Sequence, residues 1–343
     1  MSPRRSHATR LTVLAQAGWA GGLALFTALV AYQGVREVGR TLASAGTGLL
    51  WVTLFHLVPL TASAAGWYTL CDGPARPPFR TFGWARWIAE SINQLLPALN
   101  VGGNVVRAQL LARRGVPGAV AGGSVVADIT LHLAGQLLFT LLGLGLLLAH
   151  VGGEQLAGPV VLGLLGMAVT IAVFLAVQRR GMFGALSRLV ARILRSGGWS
   201  ALSSNADALD AAIRHVYANR RRVATASGWH FLSWLLGAGE IWLALRFLGH
   251  PVGLGTAVVI ESLGEGLRTA AFTVPGALGV QEAGFLLLGK LFGFTPELAI
   301  ALSLAKRVRE LALGVPGLVA WHVEGTSAVV TARARAAAPG KSG

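Results

Sequence analysis

The chain has 343 residues, of which 54% are hydrophobic and 13% charged, about half the roughly 25% charged residues of a soluble domain. That balance excludes an ordinary soluble enzyme and describes a protein solvated by lipid. The net charge of +15 would suit nucleic acid on a soluble surface, but here the arginines lie between apolar runs and form no stripe, which excludes nucleic acid as a partner.

Apolar runs long enough to cross a hydrocarbon core of about 30 Å occupy residues 11–31, 49–70, 119–149, 159–178, 223–248 and 298–323. They predict six full crossings of an all-α polytopic bundle. The first run has no small-residue cleavage site and exceeds a signal-peptide core, so it is expected to be retained, with the mature chain beginning near Met1. Arg4, Arg5 and Arg10 precede this run, Arg76, Arg80 and Arg86 follow the second, and a dense set from Arg179 to Arg222 follows the fourth. By the excess of Lys and Arg in short cytoplasmic loops, these segments face the cytoplasm and so do both termini. Residues 150–156 and 249–254 carry no Lys or Arg and face outward; Arg36 and Arg40 are exceptions. Cys71 is the single cysteine, which rules out an internal disulfide or a CxxC site. At the inner end of its helix, it is expected to react with an impermeant maleimide from the cytoplasmic side.

Two further stretches, 90–111 (ESINQLLPALNVGGNVVRAQLL) and 261–291 (ESLGEGLRTAAFTVPGALGVQEAGFLLLGKL), are too polar for plain spans and too apolar for loops. Each opens on Glu-Ser, breaks at Pro97 or Pro275, and resumes after a Gly-containing turn: Gly102 and Gly103 in the first, Gly276 and Gly279 in the second. Broken helices in the two halves of a membrane protein point to a transport site, because unwound backbone at membrane depth persists only where it lines a cavity or is packed in protein. The flanking charges predict that the first dips in from inside and the second from outside. The expected architecture is therefore six spans plus two re-entrant broken helices in an inverted-topology repeat. A single membrane domain over residues 1–325 is divided into a first repeat (11–178), a cytoplasmic connector (179–222) and a second repeat (223–325).

The connector predicts two amphipathic helices on the inner leaflet. One has apolar Met182, Leu186 and Leu189 opposite Arg188 and Arg192; the other, near 203–217, carries Leu209, Ile213 and Val216 at helical spacing. Basic amphipathic helices also dock soluble partners. Residues 326–343, rich in Ala, Arg and Gly, are expected to be a disordered cytoplasmic tail.

A charge at the centre of a spanning helix costs about 2.5–3.5 kcal/mol on insertion scales, so each one at depth needs a partner or a function. Glu261, Glu265 and Arg268 share one helical face before Pro275, Gln281 and Glu282 follow it, and Lys306, Arg307, Arg309 and Glu310 interrupt the last run. The first half mirrors this with Glu90, Asn93 and Gln94 before Pro97, then Asn100, Asn104 and Arg107 after it. Counted from each proline, Asn104 and Glu282 occupy the same step. Helices starting near positions 102–104 and 279–281 direct N–H groups and a positive dipole end toward such a cavity, which suits phosphate or carboxylate. In this reading Arg107 and the helix starts hold a head group while Glu261, Glu265 and Glu282 accept cationic or hydroxyl parts or take up protons. The alternative is that Glu265–Arg268, Lys306–Glu310 and cross-pairs only lock the bundle. Asp128 and His132, one turn apart, lack a third ligand for a metal and are expected to bond between helices. His56, His230 and His322 are read as interfacial, and Trp84, Trp87, Trp229 and Trp321 as aromatic belts.

No GxSxG elbow, HExxH helix, P-loop or dinucleotide glycine pattern occurs, so no enzymatic activity, metal or cofactor is expected. The segments NQLLPALNVGGNVVRAQLLARRG and AAFTVPGALGVQEAGFLLLGKLFGFTPELAIALSLAKRVRELALGVPGLVAWH resemble the transmembrane region of lysylphosphatidylglycerol synthases and related flippase-like proteins. Within that group they look most like the hopanoid-biosynthesis-associated members. The resemblance implies translocation of a lipid, with Pro97, Asn104, Arg107, Pro275, Gly276, Gly279, Gln281 and Glu282 shaping its path. The synthases carry a soluble catalytic domain after the membrane region, whereas this chain ends soon after Trp321, so it is expected to make no aminoacyl lipid. Where many relatives have Asp-Arg, this chain has Asp128-Ile129. The expected protein is an inner-membrane translocase of a hopanoid or phospholipid. The alternative is a non-transporting scaffold for lipid-modifying or hopanoid-biosynthesis enzymes; self-association is left open.

Overall fold

The computed structural model describes residues 36, 40, 43–96, 102–151, 206–270 and 277–337. Its elements there are ten α-helices: α1 (Gly48–Phe55), α2 (Leu57–Leu70), α3 (Phe79–Leu95), α4 (Gly102–Arg113), α5 (Gly118–Val151), α6 (Ala206–Ala218), α7 (Arg220–Phe247), α8 (Leu254–Ala270), α9 (Val280–Leu291) and α10 (Pro296–Ala337). The expected spans 11–31 and 159–178, the first connector helix, Asn100, and the breaking residues Pro97, Pro275 and Gly276 lie outside the described residues.

The helices α1 and α2 form one apolar rod over Gly48–Leu70, interrupted at His56. Pro59 explains the interruption, since it has no N–H for the Phe55 carbonyl and its ring presses on that carbonyl. This rod and Gly118–Ala149 are long and apolar enough to cross a membrane. The other two expected spans are helical, and α7, at 28 residues, is about 42 Å long. Most charges within them are turned into the bundle: Glu240, Lys306, Arg309 and Glu310 are buried, whereas Arg246, near the end of α7, is exposed.

The helix order repeats. A helix of 17 residues is followed by one of 12 and then by a long one, as α3, α4 and α5 and again as α8, α9 and α10. In this register positions 102, 104, 128 and 132 fall on 280, 282, 306 and 310. Each half has its own apolar core. Trp67, Phe82, Ile88, Leu111 and Val125 fill the first, and Ile241, Leu245, Ile260, Phe285 and Leu302 the second, with Val52 of α1 included.

The halves exchange contacts: α3 packs on α10, α8 packs on α5, and α2 packs on α7. Close approach at the first two crossings depends on glycine. A Cβ on Gly317 would overlap the Ser91 hydroxyl, and one on Gly143 would overlap the Ser262 hydroxyl. These serines belong to the two Glu-Ser pairs. The serine fits where two backbones meet, leaving the preceding glutamate to reach past the contact.

The two short hairpins open at opposite ends of the bundle. Trp84 near the start of α3 and Arg114 after α4 both bond Glu324 of α10, and Asp72 beyond α2 pairs with Arg222 at the start of α7. At the other end, Phe247 closing α7 sits against Gly48, and Val252, Phe292, Phe294 and Leu298 join the same apolar cluster.

Three expectations change. The final helix continues to Ala337, so residues 326–337 are helical and not a disordered tail; runs of Ala and Arg have high helix propensity. Cys71 is buried among the apolar side chains of the first core, so it cannot serve as a maleimide reporter. The helix α6 buries Ile213 and Val216 and packs on α5, so its apolar face is taken up by protein and its exposed Arg214 faces outward.

Candidate functional site

Between the two apolar cores runs a polar seam built from seven helices and the His56 interruption. Its larger part joins α3, α7, α8, α9 and α10. Lys306 Nζ lies 3.0 and 2.8 Å from the two Glu261 oxygens and 3.1 Å from Glu265 Oε1. Arg268 Nη1 donates to Glu310 Oε1 at 2.7 Å and lies 3.8 Å from Glu265. Arg307 bridges Glu310 Oε2 at 3.0 Å and Glu282 Oε1 at 3.3 Å. Arg309 Nε donates to Glu240 Oε1 at 3.0 Å. His56 lies between helices, its Nδ1 2.8 Å from Glu240 Oε2 and its Nε2 2.7 Å from Glu90 Oε1.

Both imidazole nitrogens thus face carboxylate oxygens, an arrangement that suits an imidazolium donating from each. Arg309 Nη1 lies 3.3 Å from Nε2, a like-charge contact held between shared acids. Six carboxylates (Glu90, Glu240, Glu261, Glu265, Glu282, Glu310) then face five cations (His56, Arg268, Lys306, Arg307, Arg309). The net negative charge suits a proton or the cationic part of a ligand, and Glu90, at 27% side-chain exposure, with the half-buried Glu265 and Arg268, forms its accessible edge.

The second part of the seam is smaller and has the opposite sign. Asp128 Oδ2 on α5 accepts from Arg86 Nη1 of α3 at 2.8 Å and from Arg107 Nη1 of α4 at 2.5 Å. His230 Nε2 of α7 approaches Asp128 Oδ1 to 2.9 Å without an aligned hydrogen bond. His230 Nδ1 lies 3.3 Å from His132 Nδ1, and His132 stacks on Trp234. The Arg107 guanidinium covers the Trp67 ring at 4.8 Å, a cation–π contact. Arg86 and Glu90 are one turn apart on α3, so the two parts adjoin along that helix.

The helix starts after the two breaks are held differently. Asn93 Oδ1 accepts the Gly103 N–H at 2.9 Å, and a Cβ on Gly103 would strike the Ala89 carbonyl. Glycine there lets α4 lie directly on α3. In the second half Gly279 has φ 76°, a left-handed conformation that glycine adopts freely, and its N–H donates to Glu282 Oε2 at 2.7 Å. Ala277 has φ 47°, which costs a residue with a Cβ about 1–2 kcal/mol. Glu282 also accepts from Ser303 Oγ at 2.9 Å, and Ser303 accepts from Gln281 Nε2 at 2.9 Å.

Of the residues singled out from sequence, the structure gathers Glu261, Glu265, Arg268, Gln281, Glu282, Lys306, Arg307 and Arg309 into one network. It sets Arg107 apart, with Asp128. Lys306 pairs with Glu261 and Glu265 and not with Glu310, while Glu310 takes Arg268. Asn93 and Glu282 serve as caps for helix starts, so those N–H groups are already bonded. Asn104 is half-buried in the first turn of α4 beside Gly102 and Gly103. His56, His230 and Arg86 escaped the sequence reading, because a lone histidine near a helix end reads as interfacial and an arginine beside a loop reads as topological. For Arg86 a signal existed, namely its position one turn before Glu90.

No curated protein and no solved structure shows significant similarity to the chain. The family model described as the lysylphosphatidylglycerol synthase TM region matches residues 19–317, most of the chain and every helix of the seam. The chain is a helical membrane protein that belongs to the family of the lysylphosphatidylglycerol synthase transmembrane region.

Proposed function

We propose that the protein moves an amphiphilic lipid between the leaflets of the bacterial inner membrane, with a hopanoid or a phospholipid as cargo. The observation that carries this reading is the polar seam: two helix hairpins, opening at opposite ends, each cross the long helix of the other half at a glycine and bury charges at the crossing. In a transporter built of inverted repeats, the substrate site lies at the repeat interface near the midplane. Six full spans, two re-entrant segments and cytoplasmic termini complete the proposed topology. The acid-rich part receives hydroxyl or cationic groups or protons, and the Arg107 part holds the head group. No enzymatic step is assigned.

The test is a leaflet-resolved assay in reconstituted vesicles with a fluorescent lipid and an impermeant quencher. The wild-type protein should make inner-leaflet lipid accessible faster than protein-free vesicles do, and Glu265→Gln should slow this. Equal rates with and without protein reject translocation. Topology is read from impermeant maleimide labelling of Leu254→Cys from outside and Arg114→Cys from inside, with buried Cys71 as silent background. A second reading, a scaffold for lipid-modifying enzymes, rests on the exposed Arg214, Arg220 and Arg221 around α6. Replacing these three with Gln should abolish a scaffold but spare transport.

A further inference from the structure

His56 stands at the interruption of the apolar rod Gly48–Leu70, and its ring joins the two halves of the molecule. Its Nε2 lies 2.7 Å from Glu90 Oε1 of α3, in the first hairpin, and its Nδ1 lies 2.8 Å from Glu240 Oε2 of α7. Arg309 of α10 places Nη1 3.3 Å from the same Nε2. Among the described residues these are the charged groups that face the ring. The helices α1 and α2 contain none, Arg86 of α3 is turned to Asp128, and α5, which also packs on α2, keeps Asp128 and His132 in the other part of the seam. Carboxylate oxygens only accept, so the ring donates to both acids only when each nitrogen carries a hydrogen; a neutral imidazole has one donor and one acceptor. Losing one proton therefore sets acceptor against acceptor at one of the two contacts.

The surroundings decide which contact gives way. Glu240 is 2% exposed and also accepts from Arg309 Nε at 3.0 Å, which holds it in place. Glu90 is 27% exposed, accepts from Gln94 Nε2 at 2.9 Å and lies 3.7 Å from Arg309 Nη1, so it has other donors and room to move. Nε2 without its hydrogen can accept from Arg309 Nη1 instead. The charged ring thus ties the first hairpin to α7, and the neutral ring keeps Glu240 and frees Glu90. Charge counting points the same way. The two parts of the seam together hold seven carboxylates and six Arg and Lys side chains, so with His132 and His230 neutral the seam balances when His56 carries a proton. Without that proton one negative charge is left buried and uncompensated, which is costly. The cost falls when Glu90 turns toward the accessible edge, so proton loss and release of the hairpin favour each other.

We infer that His56 is a proton-binding site that couples lipid movement to proton movement, with the protonated ring tying the first hairpin to α7 through Glu90 and Glu240 and the neutral ring releasing Glu90. The proton comes from water by way of the Glu90 carboxylate, forms the N–H bond at Nε2, and returns to water when that bond breaks; no other bond changes. The inference rests on the translocation reading for the coupling and not for the proton site.

The site is read by nuclear magnetic resonance of the full chain in lipid nanodiscs, with histidine labelled at both ring nitrogens, from about pH 5 to about pH 10, a range that brackets the ordinary histidine transition. One ring signal, absent from His56→Gln, should show hydrogens on both nitrogens at the acid end and on one nitrogen at the alkaline end. Glu90→Gln removes one of the two adjacent negative charges and should weaken proton binding at that ring about tenfold or more; it also identifies the ring if His56→Gln does not fold. A His56 ring that stays in one protonation state across the whole range overturns the site, and so does an unchanged proton affinity in Glu90→Gln. Coupling is read in vesicles with a zwitterionic fluorescent lipid, with and without a pH difference of about one unit across the membrane. If one proton moves per lipid, the leaflet ratio at steady state should change by up to about tenfold and return to its starting value when a protonophore is added. His56→Gln, or Glu90→Gln in its place, should lose most of this response. A wild-type ratio indifferent to the pH difference, or a variant that keeps the full response, overturns the coupling. A ring that titrates as expected, in a protein that exchanges no lipid between leaflets, overturns translocation and leaves the proton site standing.

Discussion

Replacing Lys306 with Met tests whether the seam is held by charge pairing. Lys306 is buried and its ammonium serves two carboxylates through three contacts between 2.8 and 3.1 Å. Methionine keeps the length and removes the charge, so Glu261 and Glu265 lose their shared cation and the negative excess of the network grows. Breaking a buried pair from one side costs about 3–5 kcal/mol, or roughly two to three and a half decades in the unfolding equilibrium. Glu265 is partly covered by Arg268, at 3.8 Å, so most of the loss belongs to Glu261. Lys306→Met/Glu261→Gln should therefore recover more than half of it, although Glu261→Gln alone should destabilise by leaving Lys306 with one partner. Retention of the monodisperse peak after graded heating in detergent, read by fluorescence-detected size exclusion, ranks the four proteins. A Lys306→Met protein as heat-resistant as wild type, or a double variant weaker than Lys306→Met, would refute the pairing argument.

Two further outcomes follow from the crossings and the surface. Gly317→Val and Gly143→Val should each destabilise by about 1–3 kcal/mol or more through overpacking, and combining Gly317→Ala with Ser91→Gly should restore part of what Gly317→Ala loses; absence of any rescue in the heating assay would mean that the two helices do not meet there. Glu324→Ala removes an ion pair with Arg114, whose side chain is 46% exposed, and should change heat resistance by no more than about 1 kcal/mol, because exposed pairs contribute little. A loss as large as that of Lys306→Met would contradict the distinction between surface and seam.

The breaks in both halves could be read from the sequence because proline and glycine act locally. Leu96 is extended, as a residue before proline prefers, and Gly279 takes a left-handed conformation before α9 that glycine adopts freely, whereas Pro316 lies inside α10. The need to bury the charges was equally legible, since Glu261, Lys306 and Arg309 interrupt apolar stretches and each needs a partner there, and all three are buried. Even the matched step of Asn104 and Glu282 survives as a register, with Lys306 and Glu310 answering to Asp128 and His132. The roles at that step differ, however: Glu282 caps its own helix, while α4 takes its cap from Asn93.

What the sequence determined by itself is the class of protein, the positions where helices break and the need for every buried charge to find a partner. The tertiary structure alone decided who the partners are. Arg107 is bound to Asp128, 21 positions away, and His56 to Glu240, 184 positions away; periodicity along one helix cannot foresee such choices. The physical reason is that burial sets the requirement for pairing locally, whereas the pairing itself depends on which helices the close glycine crossings bring face to face. That crossing pattern separates an acid-rich network from a cationic cluster, although both are written in the same few residue types.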